Sequence, residues 1–286
     1  MTFVDKALAR RFESAEEMPQ VEYARIYQKI RPQIGAAEEE ICGGHMIFAG
    51  LNSPIGRAVG MGFNGPVTAD DLDRLEAFYR ARKAPAQLDY CPLTDVSLLE
   101  LTKQRSYGIA ELNNLHFLPL TDLAPFAVPE GVTIRRGVRE QAAELSAIVT
   151  QSFFEKGDAP DGFNDLITPM FEFPGAITYA VTINGTLVAA AAGLVIPAHK
   201  VFALFGAGTL PPYRGRGIQT ALLRTRMQAA REAGCEYAVV VTLGGTTSER
   251  NCLRLGFRTA YSKATLIKHF PEEGGKDGDK PGSGVS

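Results

Sequence analysis

In the second half of the chain the apolar positions change period in a regular succession. TIRRGV, Thr133 to Val138, alternates as a strand does, and Glu140 to Phe154 has helical spacing. A polar loop with Pro160 and Pro169 follows. Ala176 to Ile183 and Thr186 to Ile196 then read as strands joined by Asn184-Gly185, a two-residue hairpin signal, with Val201 to Leu210 as a third. From Ile218 to Ala233 the residues Leu222, Leu223, Met227 and Ala230 recur at helical spacing, and Gly234 supplies a left-handed stop. CEYAVVVTL, Cys235 to Leu243, is almost continuously apolar, as strands buried on both faces are. Thr246 and Glu249 stand at capping-box spacing before a short helix that ends at Gly256, and Arg258 to Lys268 is a last strand.

The first half echoes the later part of this plan. Glu38 to Gly50 and Arg57 to Phe63 read as strands, Thr68 to Ala81 as a helix, Gln87 to Cys91 as a strand and Ser97 to Gln104 as a helix. Aligning the endings sets Tyr107 against Phe257, each followed by an extended run, which points to a diverged duplication. Two prolines and a glycine in TDLAPFAVPEG mark a linker at 121–131 between domains at 1–120 and 132–270. The tail, 271–286, has hardly any apolar side chains and is expected to be disordered.

Composition narrows the function classes without naming one. The 286 residues are 45% hydrophobic and 22% charged, with a net charge of -2, as in ordinary soluble proteins. That balance argues against general attraction to nucleic acid or to an anionic membrane, so an anion site has to be local. The longest apolar run, Leu187 to Ala198, is interrupted by Gly193 and Pro197 and falls short of the roughly 20 residues that span a bilayer. The opening MTFVDKALARRFESAEE lacks the apolar core of a signal peptide, and the cytoplasm is the expected compartment. Cys42, Cys91, Cys235 and Cys252 are scattered without a CxxC pair, so no metal site or disulfide framework is expected.

The chemistry concentrates in YRGRGIQTALL, Tyr213 to Leu223, at the start of a predicted helix. A helix N-terminus offers unpaired amides and partial positive charge. In RGRGIQT, Gly215 and Gly217 leave that backbone unshielded, Arg214 and Arg216 add charge, and Thr220 can donate from the first turn. The implied ligand is a phosphate ester such as a pyrophosphate, against the alternative of a merely solvated loop.

These residues resemble the GCN5-related N-acetyltransferases. The family signature is Gln or Arg, two residues, Gly, one residue, then Gly or Ala. Arg214 and Gly217 fill the first two places, and Gln219 departs from the third. FGAGTLPPYRGRG before the helix, CEYAVVVTL after it, and SERNCLRLGF extend the likeness across 131 to 268. The resemblance implies an α/β (α+β) protein of two tandem acyl-CoA N-acyltransferase-like lobes, each a mixed, mostly antiparallel twisted sheet flanked by helices. The first lobe would be degenerate. It further implies that acetyl-CoA enters a gap between the strand ending near Leu210 and the one starting near Cys235. Gly208, Thr209 and Leu210 would pair with its pantetheine arm, Arg214, Gly215, Arg216, Gly217, Ile218, Gln219 and Thr220 would wrap the pyrophosphate, and Asn251 would lie beside the arm.

Acetyl transfer to an amine needs a neutral nucleophile, a donor to the carbonyl oxygen and a proton for the leaving thiolate. A backbone N–H near Leu210 is a candidate donor. Many relatives place a tyrosine where this chain has Cys252, and VFALFGAGTL holds no acid that could be a base. His199, Tyr261, Glu172 and Asp165 are the remaining candidates, and a water relay is equally compatible. In the first half Asp70 and Asp71 fall near the places of Arg214 and Gly217, where they suit a helix cap and repel pyrophosphate. That half is expected to bind no CoA and to shape the acceptor pocket. The expected reaction is acetylation of a small primary amine, with no nucleic-acid or membrane partner and a homodimer left open. A non-catalytic CoA sensor and a structural or interaction protein stay open as alternatives.

Overall fold

The computed structural model describes residues 2–271 apart from 52, 54, 122, 155–158 and 161, so the expected disordered tail, 271–286, lies outside the described residues except for Pro271. The first half contains α1 (Lys6–Ile30), β1 (Ala37–Ile41), β2 (Gly44–Phe48), α2 (Ala69–Arg80), β3 (Ala86–Tyr90), α3 (Val96–Gln104) and β4 (Gly108–Pro119). The second contains β5 (Val132–Arg136), α4 (Ala142–Phe153), α5 (Phe163–Ile167), β6 (Tyr179–Ile183), β7 (Thr186–Ile196) and β8 (Val201–Thr209). It continues with α6 (Ile218–Glu232), β9 (Tyr237–Leu243), α7 (Thr247–Arg254) and β10 (Arg258–Lys268). Among the described residues no helix is long and apolar enough to cross a membrane.

The mixed, mostly antiparallel sheet flanked by helices is present, and both halves contribute to it. Its eight strands run in the order β3-β10-β4-β9-β8-β7-β6-β5. All neighbours are antiparallel except β8 and β9, which are parallel. The final strands are exchanged: β4 of the first half pairs with β9 of the second, and β10 of the second pairs with β3 of the first. The two final strands also pair with each other. The halves are thus joined by main-chain hydrogen bonds, and deleting residues 1–125 would strip two strands from the sheet.

Two expected strands of the first half take other forms. Glu38 to Gly50 is the hairpin β1-β2, turned at Cys42 and Gly43 with φ of 48° and 84°. Arg57 to Phe63 makes isolated bridges, His45 with Val59 and Ala58 with Leu88, because Gly60 and Gly62 at φ of 78° and 80° bend it out of the extended region.

Helix α1 has no counterpart in the sequence reading. Asp5 caps it, accepting from the Leu8 amide at 2.8 Å. Its apolar face, including Phe12, Ala15, Tyr23 and Tyr27, packs across the large sheet. Two glutamates on it are as buried as that face, Glu13 and Glu17, each 1% exposed. Burying a carboxylate is unfavourable unless it is paired. Glu13 accepts from the Tyr261 hydroxyl and the Lys263 ammonium, both at 2.8 Å. Glu17 meets Arg10 and His45, both at 2.6 Å.

The Glu17 hydrogen bond raises the His45 pKa above its ordinary 6.5, outweighing burial. A raised folded-state pKa adds stability that is full below the unfolded value and is lost as pH rises through the folded value. Urea melts at about pH 6 and pH 8.5 are therefore expected to show a larger loss of stability in the wild type than in His45→Asn.

Helices α1, α4 and α5 cover one face of the sheet, against Ala190, Ala192, Leu194 and Ile196 of β7. Helices α6 and α7 cover the other, against Ala189, Ala191, Phe202 and Leu204. In β8, Gly206 is an extra residue at φ 52°, where the register with β7 slips between Ala191 and Ala192. A bulge bends its strand. That bend positions the site.

Candidate active site

Strands β8 and β9 stay paired over three residue pairs, Val201 with Tyr237, Phe202 with Ala238 and Ala203 with Val239. Beyond Ala203 the bulge carries β8 away. The gap is a cleft of about 870 Å³, lined by Leu204 to Thr209 of β8, Val240 and Val241 of β9, and Ser248, Asn251 and Cys252 of α7. Its outer end is the α6 N-terminus, where Gly215, Gly217, Ile218, Gln219 and Thr220 line the wall.

Gly217 is the α6 N-cap at φ 74°, and among the described residues no side chain caps the helix. The corresponding helix of the first half, α2, closes its own end: Thr68 accepts from the Asp71 amide at 3.2 Å, and Asp71 accepts from the Thr68 amide at 2.8 Å. The uncapped turn of α6 therefore keeps its amides and partial positive charge available to an anion, as α2 does not.

The strand register shows what β8 offers to the gap. The Leu210 N–H donates to Val188 O at 2.9 Å, so it is already used and cannot be the expected donor to an acyl oxygen. Antiparallel alternation turns Gly208 toward β7 as well, and leaves the main-chain groups of Ala207 and Thr209 facing the gap.

Residues 143–257 match the family model described as the Acetyltransferase (GNAT) family. Those residues carry a domain of that family. The fold neighbours extend over both halves. A GCN5-related N-acetyltransferase from Kribbella flavida superposes with a TM-score of 0.63 at 18% identity, covering 87% of this chain and 96% of its own. A conserved protein of unknown function from Staphylococcus epidermidis gives 0.56 at 14%, covering 85% and 97%. A tandem GNAT protein from the clavulanic acid biosynthesis pathway, solved without acetyl-CoA, gives 0.53 at 11%, covering 81% and 78%. At these identities the likeness is one of fold. No curated protein matches the chain significantly in sequence.

Within this GNAT frame, Gly208, Thr209, Arg214, Gly215, Gly217, Ile218, Gln219, Thr220, Asn251 and Cys252 line one cleft. Leu210 and Arg216 do not line it, and the Arg216 guanidinium stacks over the Tyr213 ring at 5.5 Å. Arg214 donates to Ser152 O at 2.5 Å and Thr209 O at 3.2 Å, so it ties the loop to α4 and β8. The Gln219 side chain lies within 3.5 Å of the Thr209 hydroxyl, turned toward β8.

The other candidates lie elsewhere. His199 precedes the far end of β8, where its carbonyl accepts from Arg11 at 2.8 Å. Tyr261 is buried beneath α1 with its hydroxyl on Glu13. Asp165 pairs with Arg31 and accepts from the Tyr27 hydroxyl through its carbonyl, so it holds the end of α1. Glu172 does not line the cleft. Burial pushes the Cys252 thiol up to about 11. A proton moving from it to an ordinary thiolate near 8.5 would climb about 3 kcal/mol, which makes Cys252 a poor acid for the leaving sulfur.

Two of the cleft residues that escaped the sequence reading bear on the chemistry. Arg226, 1% exposed, donates to Ala192 O at 2.8 Å and Phe205 O at 3.3 Å, pinning the strands on either side of the bulge. Burial lowers its pKa to about 10, which still leaves a cation at neutral pH. Its signal was a charge four residues after Leu222, on the apolar stripe of α6. The other is Glu16, which reaches the cleft from α1.

Proposed function

We propose that this protein transfers the acetyl group of acetyl-CoA to the primary amine of a small acceptor. The observation that carries this reading is the parting of β8 from β9, ending at an uncapped helix N-terminus flanked by glycines. The amides of Ile218, Gln219 and Thr220 would hold the diphosphate, and the main-chain groups of Ala207 with the Thr209 N–H, which face the gap, would pair with the pantetheine arm as an added strand. Asn251 lies on the opposite wall. The buried Arg226 cation favours the thiolate that forms when the thioester carbon–sulfur bond breaks. The free cysteines among the described residues suit the cytoplasm. The domain division at the 121–131 linker then separates the coenzyme site from the half that covers it, even though their final strands are exchanged.

Acetyl-CoA at about 100 times its dissociation constant is expected to stabilise the fold by roughly 2.7 kcal/mol in thermal melts. Thiol release should follow when small amines are added. No stabilisation would sink the coenzyme site, and stabilisation without turnover would favour a CoA-binding sensor.

A further inference from the structure

On the face of the sheet covered by α1 lies a second cavity, of about 140 Å³. Glu16, Phe205 and Val240 line both this cavity and the cleft, so the two adjoin where β8 and β9 part. The cavity is far smaller than the roughly 300–1,000 Å³ of pockets for drug-sized ligands, and it can take only one end of an acceptor.

Its polar groups are incompletely hydrogen-bonded. Glu13 and Glu17 on the same helix are tied by ion pairs, whereas Glu16 forms no hydrogen bond or ion pair among the described residues. Gln20 is 7% exposed, and among the described residues its Oε1 has no hydrogen-bond partner. The buried Arg57 Nε, on the same cavity, forms no hydrogen bond among the described residues and lies 3.6 Å from Asp89. Buried polar atoms in native proteins are almost always satisfied, so two such atoms beside an unpaired carboxylate mark a place built for a ligand. Glu16 and Gln20 offer acceptors for an amine's N–H groups, and Arg57 offers a donor to an oxygen. A compact amine with a hydroxyl or carboxylate close to its nitrogen matches all three.

Resting on the acetyltransferase reading above, we propose that this cavity receives the acceptor nitrogen and that Glu16, supplied by the first half of the chain, is the general base. The acceptor arrives as an ammonium and gives one proton to the Glu16 carboxylate, which passes it to solvent. The freed lone pair attacks the acetyl carbon, forming the C–N bond and placing the carbonyl electron pair on oxygen. Collapse breaks the C–S bond with its electrons on sulfur, and the second nitrogen proton ends on that sulfur. Ammonium and acetyl-CoA thus become amide, CoA thiol and one released proton.

Burial pushes the Glu16 pKa up. Lys263 on β10 and Arg57 oppose it, and Asp89 on β3 and Glu13 on α1 add to it, with the net effect upward. A base of raised pKa is better matched to an ammonium at neutral pH. The sign for stability follows: a carboxyl bound more tightly to its proton in the fold favours folding at low pH, and that contribution is lost as pH rises through its folded value. Glu16→Gln should therefore melt no lower than the wild type at about pH 8, where an ordinary structural ion pair would melt lower.

The test compares wild type, Glu16→Gln and Glu16→Asp with acetyl-CoA and a panel of amino alcohols, amino acids and plain alkylamines, following thiol release against pH. Glu16→Gln is expected to bind acetyl-CoA within about twofold of wild type, to lose roughly 100-fold or more in kcat/KM, and to lose the acid limb of the pH profile. Glu16→Asp should keep that limb at a reduced rate. Wild-type turnover that survives Glu16→Gln with its acid limb intact overturns this inference and leaves the acetyltransferase reading standing. If Glu16→Gln does not fold, Glu16→Asp at full rate with an unshifted limb overturns it. A wild type that binds acetyl-CoA but acetylates no amine overturns both.

Discussion

Thr220→Glu is expected to leave the protein at least as stable as the wild type while weakening acetyl-CoA binding by about a hundredfold. Thr220 is exposed in the first turn of α6, which has no acidic residue and no side-chain cap. A carboxylate there meets the positive end of the helix, a contact worth about 0.3–1 kcal/mol to the fold. The same carboxylate faces a diphosphate. Charges 5–7 Å apart near a protein surface repel by about 2–3 kcal/mol each, and screening brings the sum for two phosphates to about that of one, or two decades in affinity. The first half has made the corresponding change already, with Asp70 and Asp71 in the first turn of α2. Calorimetric titration with acetyl-CoA beside thermal melts separates the two signs. Thr220 is a cleaner probe than Arg214, because Arg214 holds the carbonyls of Ser152 and Thr209 and its loss would disturb the loop itself. Unchanged affinity in Thr220→Glu would remove the helix terminus from the coenzyme site.

The coenzyme side of the site was legible because it is local. A glycine and arginine loop, the helix after it and the apolar strand beyond are contiguous in sequence, and their periods and caps are set by neighbours a few residues away. The acceptor side depends on contacts between distant segments. Helix α1 was missed because Arg10, Arg11, Glu13, Glu16 and Glu17 interrupt its apolar stripe and Pro19 lies within it. Glu13 and Glu17 are on the packed face, where partners far along the chain neutralise them, Lys263 for Glu13 and His45 for Glu17. The Asp5 cap and the i, i+4 pair Leu8 and Phe12 were the available clues. The exchange of final strands has no local signal either. The endings of the two halves resemble each other, so the pattern of β4 suits either sheet neighbour, as does that of β10. Which pairing wins is decided by side chains that meet only once the sheet is assembled. Lys263 is the clearest of these.

Lys263→Met is expected to destabilise the fold by about 3–5 kcal/mol, a large part of the roughly 5–15 kcal/mol that holds a typical domain together. Lys263 contacts Glu13 at 2.8 Å and Asp89 at 3.1 Å, with all three side chains at most 2% exposed. Asp89 lies on β3 of the first half and Lys263 on β10 of the second, so the ammonium pins the exchanged strand to its new neighbour and to α1. Without it two buried carboxylates remain, with the hydroxyls of Tyr261 and Thr265 as neutral partners and Arg57 at 3.6 Å from Asp89. Uncompensated buried charge, rather than the lost attraction, dominates that cost. Adding Glu13→Gln to Lys263→Met should therefore restore stability, a coupling that two independent packing losses would not show. The pH dependence supplies a second sign. Burial pushes Asp89 up, but Lys263 and Arg57 outweigh it and hold its carboxyl below the ordinary range, so its contribution is present above the unfolded pKa and lost as pH falls through the folded one. With Lys263 gone, the largest of those lowering effects is lost and burial pushes the other way. The variant's deficit in urea melts should then narrow as pH falls, as Asp89 takes up a proton. A deficit independent of pH and unrelieved by Glu13→Gln would mean that Lys263 acts through packing alone, and the strand exchange would then owe its specificity to apolar contacts.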